Sequence, residues 1–170
     1  MSARVCFRCA RELTAAESAF CGICATPILT LLGAHPGAGV STLALATGFH
    51  DGHQGGPATT HPGAVRLLVG RTHVAGLGFV RDALSSGRLA LTRVVLVPDA
   101  PGQLPKPLRD QISIISGVIP VTVTPWVESW RYAPGIEATR PVTKFFTALH
   151  AALVEQLPAP PSIESTSHAR

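Results

Sequence analysis

The hydrophobic positions of the chain fall into short continuous runs, separated by stretches in which apolar residues recur every three or four positions. The short runs are predicted to be buried strands, and they occupy 27–34, 65–73, 92–102 and 118–126. The stretches with helical spacing occupy 41–49, 75–89, 106–117 and 140–157. Because strands and helices alternate, the pattern predicts an α/β fold with a mostly parallel sheet of four to five strands and flanking helices.

The same pattern divides the chain into three parts. Residues 27–157 carry the strand and helix signals and are predicted to form the α/β domain. Residues 1–26 precede this domain and contain all the cysteines, and residues 158–170 (PAPPSIESTSHAR) are predicted to be a disordered tail. Within the domain, segment 50–63 (HDGHQGGPATTHPG) is predicted to be a loop, because Gly, Pro, His and Thr dominate it.

Composition narrows the class of protein further. Hydrophobic residues make up 46% of the 170 residues, which suffices for a core, but no apolar run reaches the ~18 residues that a membrane span needs. The first residues lack the apolar segment of a signal peptide, so a cytoplasmic protein without membrane contact is expected. The net charge of +4 comes from scattered basic residues, which permit nucleic-acid binding without forming a dedicated basic cluster.

All four cysteines lie in the first 24 residues, with the spacing C-x2-C, eleven residues, C-x2-C. Two such pairs place four thiolates around one point, which suits a closed structural zinc site. The predicted zinc ligands are Cys6, Cys9, Cys21 and Cys24. Two disulfides or four free thiols are the alternatives, and disulfides require an oxidising compartment for which the sequence gives no signal. The segment resembles a zinc ribbon, whose metal would supply folding energy and whose function would be docking to a protein or a nucleic acid.

The stretch AHPGAGVST, residues 34–42, lies between the first predicted strand and the first predicted helix. Glycines in such a turn let successive backbone N–H groups point inward, and the helix dipole adds positive potential, so the arrangement favours a phosphate. Aligned with the P-loop pattern G-x-x-x-x-G-K-[ST], Gly39 matches the second glycine and Ser41 the hydroxyl residue, whereas Val40 stands where lysine belongs. A turn kept only for tight packing is the alternative interpretation.

This loop resembles the deviant Walker A motif of ParA/MinD-type ATPases, written roughly G-K-G-G-x-G-K-T-T. The positions that fit the motif are Gly37, Gly39, Ser41 and Thr42. His35 and Val40 replace the two lysines. The segments GAHPGAGVST, RTHVAGL, PDAPGQLPKPLRD and PWVESWR, spanning roughly residues 29–131, together resemble an uncharacterised actinobacterial family common on mobile elements. The resemblance to ParA/MinD-type ATPases implies a P-loop-like fold that binds ATP with Mg²⁺. The resemblance to the actinobacterial family brings no assigned activity.

Loss of the lysine removes the cation that reaches the β and γ phosphates, so binding is expected more readily than hydrolysis. Replacement cations are predicted at the carboxyl edge of the sheet, where Arg71, His35 and His73 should gather. Asp99 resembles a Walker B acid, although PDAPG is also an ordinary turn sequence. Trp126 and Trp130 follow the last strand and suit core packing, a partner groove or stacking on a base. The predicted nucleotide-binding set is His35, Gly37, Ala38, Gly39, Val40, Ser41, Thr42, Arg71 and Asp99.

Two functions are compatible with these features. The first is a degenerate ParA/MinD-like nucleotide- or phosphate-binding protein, a pseudo-NTPase accessory to the maintenance or transfer of a mobile element. It is not expected to be an enzyme by itself, because hydrolysis would need a cation from a partner, and the resemblance implies a homodimer around the nucleotide. The second is a non-enzymatic zinc-ribbon adaptor that binds DNA or a protein partner, with the α/β domain as scaffold.

Overall fold

The computed structural model describes residues 29–52, 65–132 and 140–155, which form a five-stranded parallel sheet flanked by helices. The strands are β1 Leu29–Gly33, β2 His50–Asp51, β3 Val65–Arg71, β4 Arg93–Val97 and β5 Val121–Val123. The helices are α1 Val40–Thr47, α2 Val74–Ser85, α3 Lys106–Ser116 and α4 Arg140–Glu155, with a short 3-10 helix at Glu128–Arg131. The strand order is β2-β1-β3-β4-β5, so β1 lies between β2 and β3.

Two apolar clusters, one on each face of the sheet, hold the helices in place. Successive residues of a strand point to opposite faces, so Leu31 and Leu67 enter the first cluster while Leu32 and Leu68 enter the second. Helices α1 and α4 contribute to the first cluster, and α2 and α3 contribute to the second. Because both faces are buried, the strands are continuous apolar runs rather than alternating ones.

The register of the sheet brings the carboxyl ends of the strands to one edge. β1 pairs with β3 along its whole length, from Leu29 opposite Val65 to Gly33 opposite Val69. Just beyond β1, the Ala34 N–H still donates to the Val69 carbonyl at 2.8 Å. The segments that follow β1, β3, β4 and β5 therefore meet at the same edge, which is where ligands bind in open α/β sheets.

The predicted α/β fold is confirmed, and all described strand pairs are parallel. The prediction that 50–63 is a loop throughout is wrong at its start, because His50 and Asp51 pair with Thr30 and Leu31 as β2. A two-residue strand is too short to show a hydrophobic pattern, and the glycines after it favour a loop assignment. The last strand is shorter than the predicted 118–126, because prolines at 120 and 125 bracket it and cannot donate to the ladder.

Several predictions concern segments outside the described residues. These are the zinc ligands Cys6, Cys9, Cys21 and Cys24, and the tail at 158–170. Across the three described ranges, no helix has both the length and the apolar character that crossing a membrane requires.

Helix α1 offers a direct test of the packing. Leu43 is fully buried in the first cluster, whereas Leu45 on the same helix is 50% exposed. We expect Leu43→Ala to lower the free energy of unfolding by about 2–5 kcal/mol, because it removes buried methyl groups and leaves a cavity. Leu45→Ala is the matched control and should change that free energy by no more than about 0.5 kcal/mol. Urea unfolding measures both, and equal losses would contradict this orientation of α1.

Candidate functional site

The loop that joins β1 to α1 has the backbone of an anion-binding turn. Gly37 and Gly39 both adopt left-handed conformations, with φ of 78° and 98°. Gly39 is the N-cap of α1, and no side chain caps this end of the helix. The N–H groups of the first helical turn therefore lack an intrahelical acceptor and lie at the positive end of the helix dipole. A phosphate is the kind of ligand that such donors favour.

Val40 occupies the position of the P-loop lysine, and its side chain serves packing. Val40 is only 5% exposed and belongs, together with the buried Ala38, to the apolar cluster beneath α1. These two side chains anchor the loop to the core. The same burial means that position 40 supplies no positive charge to an anion held in the loop.

A carboxylate lies directly beside the loop. Ser41, the second residue of α1, donates its hydroxyl hydrogen to the Asp51 carboxylate at 2.7 Å. Asp51 is buried at the end of β2, next to β1 in the sheet. The structure thus joins the hydroxyl residue of the P-loop pattern to an acid on the neighbouring strand.

The following residue, Gly52, lets β2 approach β1 closely enough for this contact. A Cβ atom at position 52 would lie 2.6 Å from the Leu32 side chain and 2.8 Å from the Leu31 carbonyl oxygen. The Gly52 N–H donates to that same carbonyl at 2.9 Å. Only glycine fits without moving β2, so Asp51 is held beside the loop by the lack of a side chain at the next position.

Arg71, the last residue of β3, ties the loop to the end of β4. Its Nε donates to the Gly37 carbonyl at 3.3 Å, and its Nη1 donates to the Pro98 carbonyl at 3.3 Å. The same Nη1 lies 3.8 Å from the Asp99 carboxylate, which is about half exposed. The backbone N–H of Asp99 donates to the hydroxyl of the buried Thr72 at 3.0 Å, which fixes the end of β4. The guanidinium is thus a positive charge within reach of the loop.

The two histidines predicted at this edge lie together in a separate aromatic group. The His35 ring is 5.8 Å from the His73 ring and 5.4 Å from the Phe79 ring, measured between centroids. His73 caps α2, because its Nδ1 accepts a hydrogen bond from the Gly76 N–H at 3.0 Å. Of the three predicted cations, Arg71 alone borders the cleft described next.

A cleft opens in front of the loop at the carboxyl edge of the sheet. It has an empty volume of about 600 Å³, which includes its open mouth. Its lining includes Gly39, Thr42, Arg71 and Asp99, and also Pro125, Trp126, Trp130 and Arg131 from the segment after β5. The sequence predicted that residues from these strand ends would gather, and they do.

Hydrogen bonds to Glu128 of the 3-10 helix hold the aromatic part of the cleft lining in place. The Trp126 indole N–H donates to one oxygen of Glu128 at 2.8 Å, and the Tyr132 hydroxyl donates to the other at 2.9 Å. The guanidinium carbon of Arg131 lies 5.6 Å from the centroid of the Trp126 ring, within cation–π range. The hydrogen bond to Glu128 also raises the pKa of Tyr132 above its usual value of 10.0.

The sequence offered Asp51 only as a possible metal ligand in a histidine-containing loop, together with His50, His53 and His61, and did not connect it with the β1–α1 loop. The available signal was that His50 and Asp51 follow Phe49 shortly after α1, where a second parallel strand would begin. Asp99, by contrast, belongs to the end of β4, which β3 separates from β1. The carboxylate that touches Ser41 is therefore Asp51, while Asp99 lies beside Arg71.

The described residues contain no group of three or more His, Cys, Asp or Glu side chains that could hold a metal ion by themselves. A divalent cation beside Ser41 and Asp51 would need further oxygen ligands from a bound phosphate or from water. No protein-family model matches the chain, and no match exists among the curated proteins or the solved structures compared with it. The case for function therefore depends on the geometry of the loop and cleft.

Proposed function

We propose that this protein binds a nucleotide or another polyphosphate with Mg²⁺ at the β1–α1 loop, and that it hydrolyses this ligand slowly or not at all. The observation that carries the proposal is the hydrogen bond of 2.7 Å between Ser41 and Asp51, beside an uncapped helix terminus. The hydrogen bond places a carboxylate directly beside the hydroxyl residue of the P-loop pattern, where a metal that accompanies phosphates would lie. The proposal corresponds to a degenerate ParA/MinD-like pseudo-NTPase.

The chemistry of the pair fits Mg²⁺. This ion prefers oxygen ligands and is commonly bound by one or two protein groups, several waters and the phosphates of the substrate. The Ser41 hydroxyl would be the direct protein ligand, and the Asp51 carboxylate would orient that hydroxyl and accept from a coordinated water. When bound, Mg²⁺ would offset the negative charge of the phosphates. The amides of the first turn of α1 would hold the phosphate oxygens on the other side.

Slow hydrolysis is expected because the loop supplies no free cation to the bound phosphates. Position 40 is an apolar side chain buried in the core, so the cation that usually stabilises the transferred phosphoryl group is missing. Arg71 is a cation that contacts the loop, but the Gly37 and Pro98 carbonyls and Asp99 already engage it. Loss of one well-placed stabilising group costs about 10²–10³ in rate in a well-studied oxyanion site. We therefore expect binding without rapid hydrolysis.

The test is the Mg²⁺ dependence of binding. Calorimetric titration of the full chain with ATP at several Mg²⁺ concentrations should show affinity that rises with the metal. We expect Asp51→Asn to lower the apparent Mg²⁺ affinity about 10- to 100-fold, the usual cost of removing a group that orients a metal ligand. The variant keeps the shape of the side chain and removes its charge.

Asp110→Asn is the matched control for that experiment. Asp110 is exposed on α3 and pairs with Lys106 at 2.7 Å, and it does not line the cleft. Its neutralisation should leave the Mg²⁺ dependence unchanged. Identical titration curves for Asp51→Asn and the unmodified protein would remove the main support for the proposal, as would the absence of binding up to millimolar ATP.

The adaptor hypothesis depends on residues 1–26, which lie outside the described residues, and no described contact favours it. The mobile-element context likewise comes only from the resemblance of the sequence segments. A homodimer around the nucleotide also remains a prediction from that resemblance.

A further inference from the structure

Building on the proposed phosphate site, we infer that the ligand is a nucleotide whose base stacks on the indole of Trp126, and that the cleft accepts different bases with similar affinity. The inference depends on the proposed function, because the phosphates must first be held at the loop. It goes further in assigning the aromatic part of the cleft lining a ligand group and a mode of recognition.

Continuity of the cleft places a base near Trp126. Gly39 and Thr42 of the loop line the same cavity as Trp126 and Trp130. Phosphates bound at the start of α1 leave the rest of the ligand to extend along the cavity. The lining of the cavity therefore extends from the loop to the segment that follows β5.

The indole of Trp126 is fixed before any ligand arrives. Glu128 accepts its N–H at 2.8 Å, and the same carboxylate is braced by the Tyr132 hydroxyl at 2.9 Å. A side chain already held in one orientation loses little entropy when a ring stacks on it. The Arg131 guanidinium lies over one face of the ring, so a base would stack on the opposite face.

The same hydrogen bond determines what kind of recognition the indole offers. Because Glu128 accepts the N–H, the indole keeps no donor for a ligand and can offer a base only its π surface. Of the neighbouring lining residues, Pro125 and Val127 carry no side-chain hydrogen-bonding group, the Trp130 N–H is buried, and the Arg131 guanidinium lies over the Trp126 ring. Stacking is tolerant of sequence, since every base has a π face. The aromatic part of the lining therefore distinguishes a nucleotide from a bare polyphosphate more strongly than it distinguishes one base from another.

The test compares three ligands on the full chain in the presence of Mg²⁺: inorganic tripolyphosphate, ATP and GTP. We expect ATP and GTP to bind about 10- to 100-fold more tightly than tripolyphosphate, the range that one base–aromatic stack provides. The two nucleotides should differ from each other by less than roughly fivefold. Trp126→Ala should bring both nucleotides close to tripolyphosphate and leave tripolyphosphate binding unchanged.

Two further variants separate stacking from a general disturbance of the segment. Trp126→Phe keeps a ring and should retain an intermediate preference for nucleotides. Ser129→Ala changes a residue of the same segment that does not line the cleft, and should preserve the preference. The ligand comparison on the unmodified protein tests the inference even if the tryptophan variants fold poorly.

The outcomes distinguish the two proposals. Tripolyphosphate binding as tight as ATP binding overturns the stacking inference and leaves the phosphate site in place. A difference above tenfold between ATP and GTP overturns the tolerance of bases. Absence of binding by all three ligands overturns the proposed function and this inference together.

Discussion

Replacing Gly39 with tryptophan is expected to abolish detectable binding of Mg²⁺–ATP, a loss of at least about a hundredfold in affinity. Gly39 has a φ of 98°, a conformation that costs an L-residue about 1–2 kcal/mol. Any side chain at this N-cap also starts within the cleft lining, 3.5 Å from Val97, so an indole would occupy space that the ligand needs. Strain in the loop and obstruction of the cleft act in the same direction. Calorimetric titration with ATP and tripolyphosphate measures the loss.

Gly87→Trp is the matched control for this substitution. Gly87 also has a positive φ, at 61°, and a Cβ atom there would meet nothing within 4 Å. It follows α2, away from the cleft, so the control carries backbone strain and an added indole without touching the loop. The control should bind ATP like the unmodified protein. If Gly39→Trp is folded by circular dichroism and still binds within threefold of the control, the loop is a packing turn and the proposed function fails.

The strand–loop–helix unit that forms the centre of the site could be predicted from the sequence alone. β1 is buried on both faces, so it reads as a continuous apolar run, and the glycines after it mark a turn before α1. Parallel pairing then brings the ends of neighbouring strands together, which is why Arg71, Asp99 and Trp126 could be expected at one edge. These inferences need only local pattern and the topology of a parallel sheet.

The carboxylate partner of the loop could not be predicted in the same way. Asp51 reaches Ser41 because a two-residue strand pairs with β1, and that pairing depends on tertiary contacts that no local period records. The position of His35 could not be predicted either, because its ring packs against the rings of His73 and Phe79 and does not line the cleft. Position 40 shows a third limit. The alignment reveals the missing lysine, but only the burial of Val40 shows that the position serves the core.

Arg71→Ala is expected to weaken the binding of ATP and of tripolyphosphate by roughly 10- to 150-fold. A hydrogen bond to a charged group contributes about 1.5–3 kcal/mol, and each 1.4 kcal/mol is a factor of ten in affinity. Arg71 is the predicted cation that borders the cleft, and it also holds the Gly37 carbonyl of the loop. Arg66→Ala is the matched control, because Arg66 belongs to the same strand at its opposite, amino end.

Arg71→Lys separates the two contributions that Arg71 makes. Lysine keeps the positive charge but lacks the planar fork that reaches both the Gly37 and Pro98 carbonyls. If charge on the phosphates dominates, the lysine variant should bind much more tightly than the alanine variant, and the advantage should shrink as salt is raised. If bridging of the loop to β4 dominates, lysine and alanine should be equally weak. Equal affinities for Arg71→Ala and Arg66→Ala would show that neither contribution exists, and the phosphates would then have to be held by the amides of α1 and the Ser41–Asp51 pair alone.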